Sequence, residues 1–113
     1  SVELGFSMKK KKHRFDFGSS DPKLIIECKS HRWTAGDKVP SAKMTVWNEA
    51  MLYFYLAPKD FKKIFFTLLD KRKTTEETLV SYYKRTYSHL IPDNVQFYEF
   101  DTLTGELFIN TDL

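Results

Sequence analysis

The chain has 113 residues, 42% of them hydrophobic and 16% aromatic, and its 18 Lys and Arg against 15 Asp and Glu leave a formal charge of +3. That is enough for one domain, residues 1–113, with a single core, and a charge so mild permits a polyanionic partner without requiring one. One cysteine excludes an internal disulfide and fits a reducing compartment; with no signal-peptide pattern and no apolar run able to span a bilayer, the expectation is a cytoplasmic protein without membrane association.

In chain order, "VELGFSM" (2–8) alternates loosely, with Val2, Leu4 and Phe6 on one face, and predicts a strand. Lys9, Lys10, Lys11 and Lys12, followed by His13 and Arg14, form the densest positive cluster. It reads either as a solvated connection or as a surface laid against phosphates. "HRFDF" (13–17) predicts a second strand, Phe15 and Phe17 on one face, Arg14 and Asp16 on the other. The turn residues of "GSSDP" then predict a hairpin loop over 18–23 before a third strand, "KLIIECK" (23–29). These three form a predicted meander.

Residues 32–43 read as a loop. Ser41, after Pro40, is the expected N-cap of a helix that stops before Pro58. The second half of that helix, "AMLYFYLA", is apolar nearly all round and is expected to be buried on most sides. "KKIFFTLLD" (62–70) has the length and composition of a buried strand. Residues 74–91 predict a helix with a Thr74–Glu77 capping box, a stripe of Leu79, Tyr83, Tyr87, Leu90 and Ile91, and a stop at Pro92. "VQFYEFDTLTGELFIN" (95–110) predicts two strands around a turn at Thr102–Gly105. The order of three strands, helix, strand, helix and hairpin is that of a mixed α/β domain, a central sheet with helices packed on it.

One strand breaks its own pattern. In "IIECKSHRW" (25–33) the apolar run is interrupted by Glu27 and Lys29 around Cys28. Such charges are either solvated at an edge or held for chemistry. Alternation puts Ile25, Glu27 and Lys29 on one face. With the hairpin loop at 18–23, Phe17 pairs with Leu24, and Asp16 becomes the diagonal neighbour of Glu27. Two converging carboxylates repel unless they share a proton or a cation. Oxygen ligands suit Mg²⁺ first and Mn²⁺ second, and Lys29 adds a positive charge beside them.

Asp16 followed by Glu27-Cys28-Lys29 resembles the PD-(D/E)XK nuclease superfamily, the restriction-endonuclease-like fold. The resemblance implies a mixed sheet flanked by helices, and Mg²⁺-dependent hydrolysis of phosphodiester bonds, DNA before RNA. It implies Asp16, Glu27 and the Cys28 carbonyl as metal ligands, and Lys29 as the catalytic lysine. Some members carry a Q-x-x-x-Y element in the following helix; Glu49 and Tyr53 have that spacing, Glu replacing Gln. The family usually begins with a helix, whereas this sequence opens in an extended segment without that N-terminal helix, and Phe15 stands where Pro is common. A fold short of one helix invites pairing as a homodimer.

Arg32 is a candidate phosphate contact, and Trp33 either stacks on a base or lids the core. Ser30 and His31 lack the third member of a nucleophilic triad, and the three histidines lack zinc spacing with Cys28. A non-catalytic nucleic-acid-binding or protein-interaction module on the same scaffold is the rival expectation.

Overall fold

The computed structural model describes residues 1–6 and 8–112. The apolar run 62–68 becomes the central strand of a five-stranded sheet, flanked on both edges by parallel neighbours. In chain order the elements are β1 (Val2–Leu4), β2 (Lys11–His13), β3 (Phe17–Ser20), β4 (Lys23–Lys29), α1 (Ser41–Leu56), β5 (Lys62–Leu68), α2 (Leu79–Thr86), a 3₁₀ turn (Ser88–Leu90), β6 (Val95–Phe100) and β7 (Leu107–Asn110). The sheet order is β3-β4-β5-β6-β7, while β1 and β2 pair with each other in a separate two-stranded sheet. Strands β4, β5 and β6 run parallel, and β3 and β7 close the two edges antiparallel.

The crossovers β4–α1–β5 and β5–α2–β6 step in the same direction, and right-handed connections of that kind put both helices on one face. Trp47 of α1 meets Phe65 at 5.1 Å, Tyr83 of α2 meets Phe97 at 6.1 Å, and Trp47 and Tyr83 meet each other at 5.1 Å. Ile25, Met44, Met51, Phe54, Leu79 and Val80 join this core; each such side chain contributes roughly 1.5–3 kcal/mol by leaving water. Register aligns three rows on the helix-covered face, namely Ile25–Lys63–Val95, Glu27–Phe65–Phe97 and Lys29–Thr67–Glu99. The middle row is apolar except for Glu27.

The opposite face is open. Phe17 and Ile109 at its margins are 52% and 51% exposed, and Leu107 is also exposed. Ile26, Ile64, Phe66, Tyr98 and Phe100 lie between them. The expected sheet with helices packed about it is therefore covered on one side only.

Several local expectations change. The N-terminal meander is instead two hairpins in two sheets, β1–β2 and β3–β4; the predicted strand 2–8 ends at Leu4, and Ser7 within it lies outside the described residues. A bend over residues 14–16 breaks the alternation of "HRFDF", so Phe15 enters the core while Phe17 faces the open side. Ser41 sits inside the first turn of α1; Pro40 is the cap, and its carbonyl accepts from Lys43 N–H and Met44 N–H at 2.8 and 3.1 Å. The second half of α1 leaves Leu52 and Tyr55 exposed. The second helix starts at Leu79, with Thr78 as its cap: Thr78 Oγ1 accepts from Ser81 N–H at 3.1 Å. Glu77, expected to fold back on Thr74, instead accepts from Arg85 Nε and Nη2 at 2.6 and 3.0 Å. A capping Thr lost to Ala costs about 1 kcal/mol. Thr78→Ala should lower stability by that amount in urea unfolding, Thr78→Ser should restore it, and Thr74→Ala should leave the midpoint unchanged.

Candidate active site

The β3–β4 hairpin positions the acids. Its turn is only Asp21–Pro22, pairing Ser20 with Lys23 and Phe17 with Ile26. At the bend just before the last paired residue, Phe17, Asp16 comes beside Glu27 rather than at the diagonal that a loop over 18–23 implies. Hydrogen bonds lock the pair: Asp16 N–H donates to Glu27 Oε1 at 3.3 Å, and Cys28 N–H donates to Asp16 Oδ2 at 2.7 Å. Glu27 is 8% exposed, Asp16 largely exposed. Burial, and then the Asp16 carboxyl hydrogen-bonded beside it, push Glu27 up to about 7. The pair therefore holds a proton near neutrality, as two crowded carboxylates must in the absence of another cation.

A hard divalent cation fits this donor set. Both ligands are carboxylate oxygens, and the ion would take the place of the proton they share. Within a strand the N–H and C=O of one residue point to the same edge, so the Cys28 carbonyl faces the side where its N–H meets Asp16. The Cys28 thiol is exposed, and burial pushes its pKa up, so the oxygen rather than the sulfur is the donor in question. Among the described residues no group of three or more His, Cys, Asp or Glu side chains is arranged to hold a metal ion. Lys29, half-buried on the same face, is near enough that its charge opposes the rise in Glu27.

His13 is the residue that sequence reasoning left out of the site. Its ring stacks on Tyr53 at 3.9 Å and meets Phe15 edge-on at 4.7 Å. Burial lowers its pKa, against the pull of Glu49 and Asp16, and Lys29 lowers it further. Its Nε2 is buried with no hydrogen-bond partner among the described residues. Through His13 the structure joins Tyr53 and Glu49 to the acids, Tyr53 by stacking and the exposed Glu49 by its charge. The one sequence signal was that His13 shares parity with the core residue Phe15.

The basic residues divide. Arg14 lines a groove of about 470 Å³ with Asp16, Phe17 and Ser19. Lys11 and Lys12 are exposed on β2, and Lys9 and Lys10 on the connection before it. Arg32 pairs with Asp70 at 3.4 Å. Trp33 donates N–H to Asp70 Oδ2 at 2.8 Å and its indole N–H to the Asp70 carbonyl at 3.1 Å, with Arg72 over its ring at 4.1 Å. It is a lid on the core. His31 Nδ1 accepts the indole N–H of Trp47 at 2.7 Å, and burial, with Lys43 and Lys29, lowers its pKa.

Because Glu27 holds its proton to about 7 when folded and to about 4.5 when unfolded, this group's contribution is fully present below about pH 4.5 and is lost as pH rises through about 7. Relative to Glu27→Gln, which keeps the neutral form, the wild type should lose on the order of 1–2 kcal/mol between about pH 5 and about pH 8.5, a figure reduced for the solvent beside Asp16. Urea unfolding of both proteins at the two pH values checks the sign.

Comparison with family models, with curated proteins and with solved structures finds no match to this chain.

Proposed function

We propose that the chain hydrolyses phosphodiester bonds of nucleic acid, DNA in preference to RNA, on a restriction-endonuclease-like scaffold. The observation that carries this reading is the meeting of the Asp16 and Glu27 carboxyls with Lys29 next on the same face. The scaffold reading draws support from a hairpin that feeds a parallel strand and then a crossover helix. Asp16, Glu27 and the Cys28 carbonyl would hold Mg²⁺ or Mn²⁺, which supplies Lewis acidity and a more acidic bound water. Lys29 places a fixed ammonium where negative charge builds on the phosphate oxygens. The groove beside Arg14 and the exposed cations from Lys9 to Lys12 run along the phosphate backbone, each neutralised phosphate strengthening binding. Arg32, committed to Asp70, is the weakest of the proposed phosphate contacts.

One observation favours a second reading, an interaction module that does not cleave. The open sheet face spans five strands and leaves Phe17, Leu107 and Ile109 exposed at its margins, and contiguous exposed apolar surface is often functional. A partner protein, or a second copy in a homodimer, would cover it.

Labelled DNA should be cut in Mg²⁺ or Mn²⁺ and spared in chelator, and Glu27→Ala and Lys29→Ala, with unchanged circular dichroism, should lose about 100-fold or more of the rate. Independently of activity, Mn²⁺ should raise the melting temperature of the wild type and not of Glu27→Gln. A wild type that neither cuts DNA nor responds to Mn²⁺ rejects the nuclease reading in favour of the interaction module.

A further inference from the structure

The other end of the helix-covered face holds a second anomaly. Lys63, in the row Ile25–Lys63–Val95, is 2% exposed. An ammonium has three donors, yet among the described residues Lys63 Nζ makes one hydrogen bond, to the Ala57 carbonyl at 3.4 Å. The acid next to it in charge, Asp60, is engaged by Lys23, while Lys59 adds a like charge. Burial pulls the Lys63 ammonium below the usual lysine range, and Asp60 opposes that only in part. A buried ammonium so poorly matched is costly unless something pairs with it.

Lys63 lines a cleft of about 810 Å³ between the second half of α1 and the segment that leads from the 3₁₀ turn into β6. Leu52 and Tyr55 of α1 and Leu90 of the 3₁₀ turn, all in the cleft wall, are large apolar side chains left exposed. Asn48 also lines it. Its Oδ1 accepts from Tyr83 Oη at 2.8 Å. A buried ammonium thus borders an apolar slot.

We propose that this cleft binds a small organic carboxylate with a flat apolar body, its carboxylate held by Lys63 and its body between Leu52, Tyr55 and Leu90. One ammonium matches the single charge of a carboxylate. A phosphate dianion would bring a second charge into a wall that also holds Asp93, which would repel it more strongly. The site stands apart from the acid pair: Lys63 lies at the amino ends of the parallel strands, Glu27 and Lys29 toward their carboxyl ends.

The test uses 2-naphthoate and its neutral isostere 2-naphthamide as probes, followed by amide shifts in ¹⁵N-labelled protein. Naphthoate should shift the amides of Leu52, Lys63 and Asn94 saturably, and naphthamide should bind at least about tenfold more weakly, since the pairing of charges is what distinguishes them. Lys63→Met should erase that preference. Should Lys63→Met not fold, Leu52→Glu, a change at an exposed position, should weaken naphthoate more than naphthamide by setting a like charge in the wall. Equal binding of the two probes, no saturable binding, or shifts centred instead on Ile26, Ile64 and Tyr98 of the open sheet face would each overturn the assignment.

Discussion

The packing of Trp47 on Phe65 is the contact from which the rest of the molecule follows. The indole, fully buried, touches the central strand and Tyr83 of the second helix, and gives its N–H to His31. Seating α1 in this way covers one side of the sheet and ties down the loop that follows Lys29. It also brings Tyr53, farther along the same helix, against His13, so that the separate β1–β2 hairpin lies near the edge at which Asp16 meets Glu27. A large aromatic at this position thus does two jobs, filling the core and positioning the acids' surroundings.

The three side-chain rows on the covered face explain why polar groups gather at its ends. Phe65 and Phe97 dominate the middle, where two helices exclude water, and Glu27 survives beside them only because it borders the sparsely covered β3 edge and can keep its proton. Beyond it, Lys29, Thr67 and Glu99 share the row at the carboxyl ends of the strands, the end at which open α/β sheets commonly hold their ligands. Glu99 is also raised by burial: Asn110 Nδ2 donates to it at 2.6 Å, within a network that reaches Ser81 and Asp112, while its Oε2 is buried without a hydrogen-bond partner among the described residues. At the amino ends, among the described residues, Lys63 Nζ bonds just the Ala57 carbonyl.

Much of this architecture was legible in the sequence, for identifiable reasons. Residues 62–68 announce a strand by their length and their Phe, Ile and Thr content, and the turn at Thr102–Gly105 separates two strands as its residues suggest. The shared face of Glu27 and Lys29 follows from alternation alone. The hairpin register did not, since "GSSDP" contains enough turn residues for a long loop and for the two-residue turn that forms. The start of the second helix was hidden because Thr74 and Thr78 both offer a hydroxyl, and the choice rests on Arg85 drawing Glu77 away. His13 belongs to the site through stacking on a helix forty residues away in sequence, a relation that no local pattern encodes. Nor does periodicity reveal that both crossovers leave the same side of the sheet bare.

That bare side bears on the thermodynamics of the whole chain. Apolar groups already in contact with water in the native state contribute nothing to the hydration change on melting. An uncapped two-layer arrangement, as an isolated protomer, should therefore show a heat-capacity increment below the usual ~12–15 cal/mol/K per residue. Its free-energy curve should be correspondingly shallow, varying little with temperature on either side of its maximum.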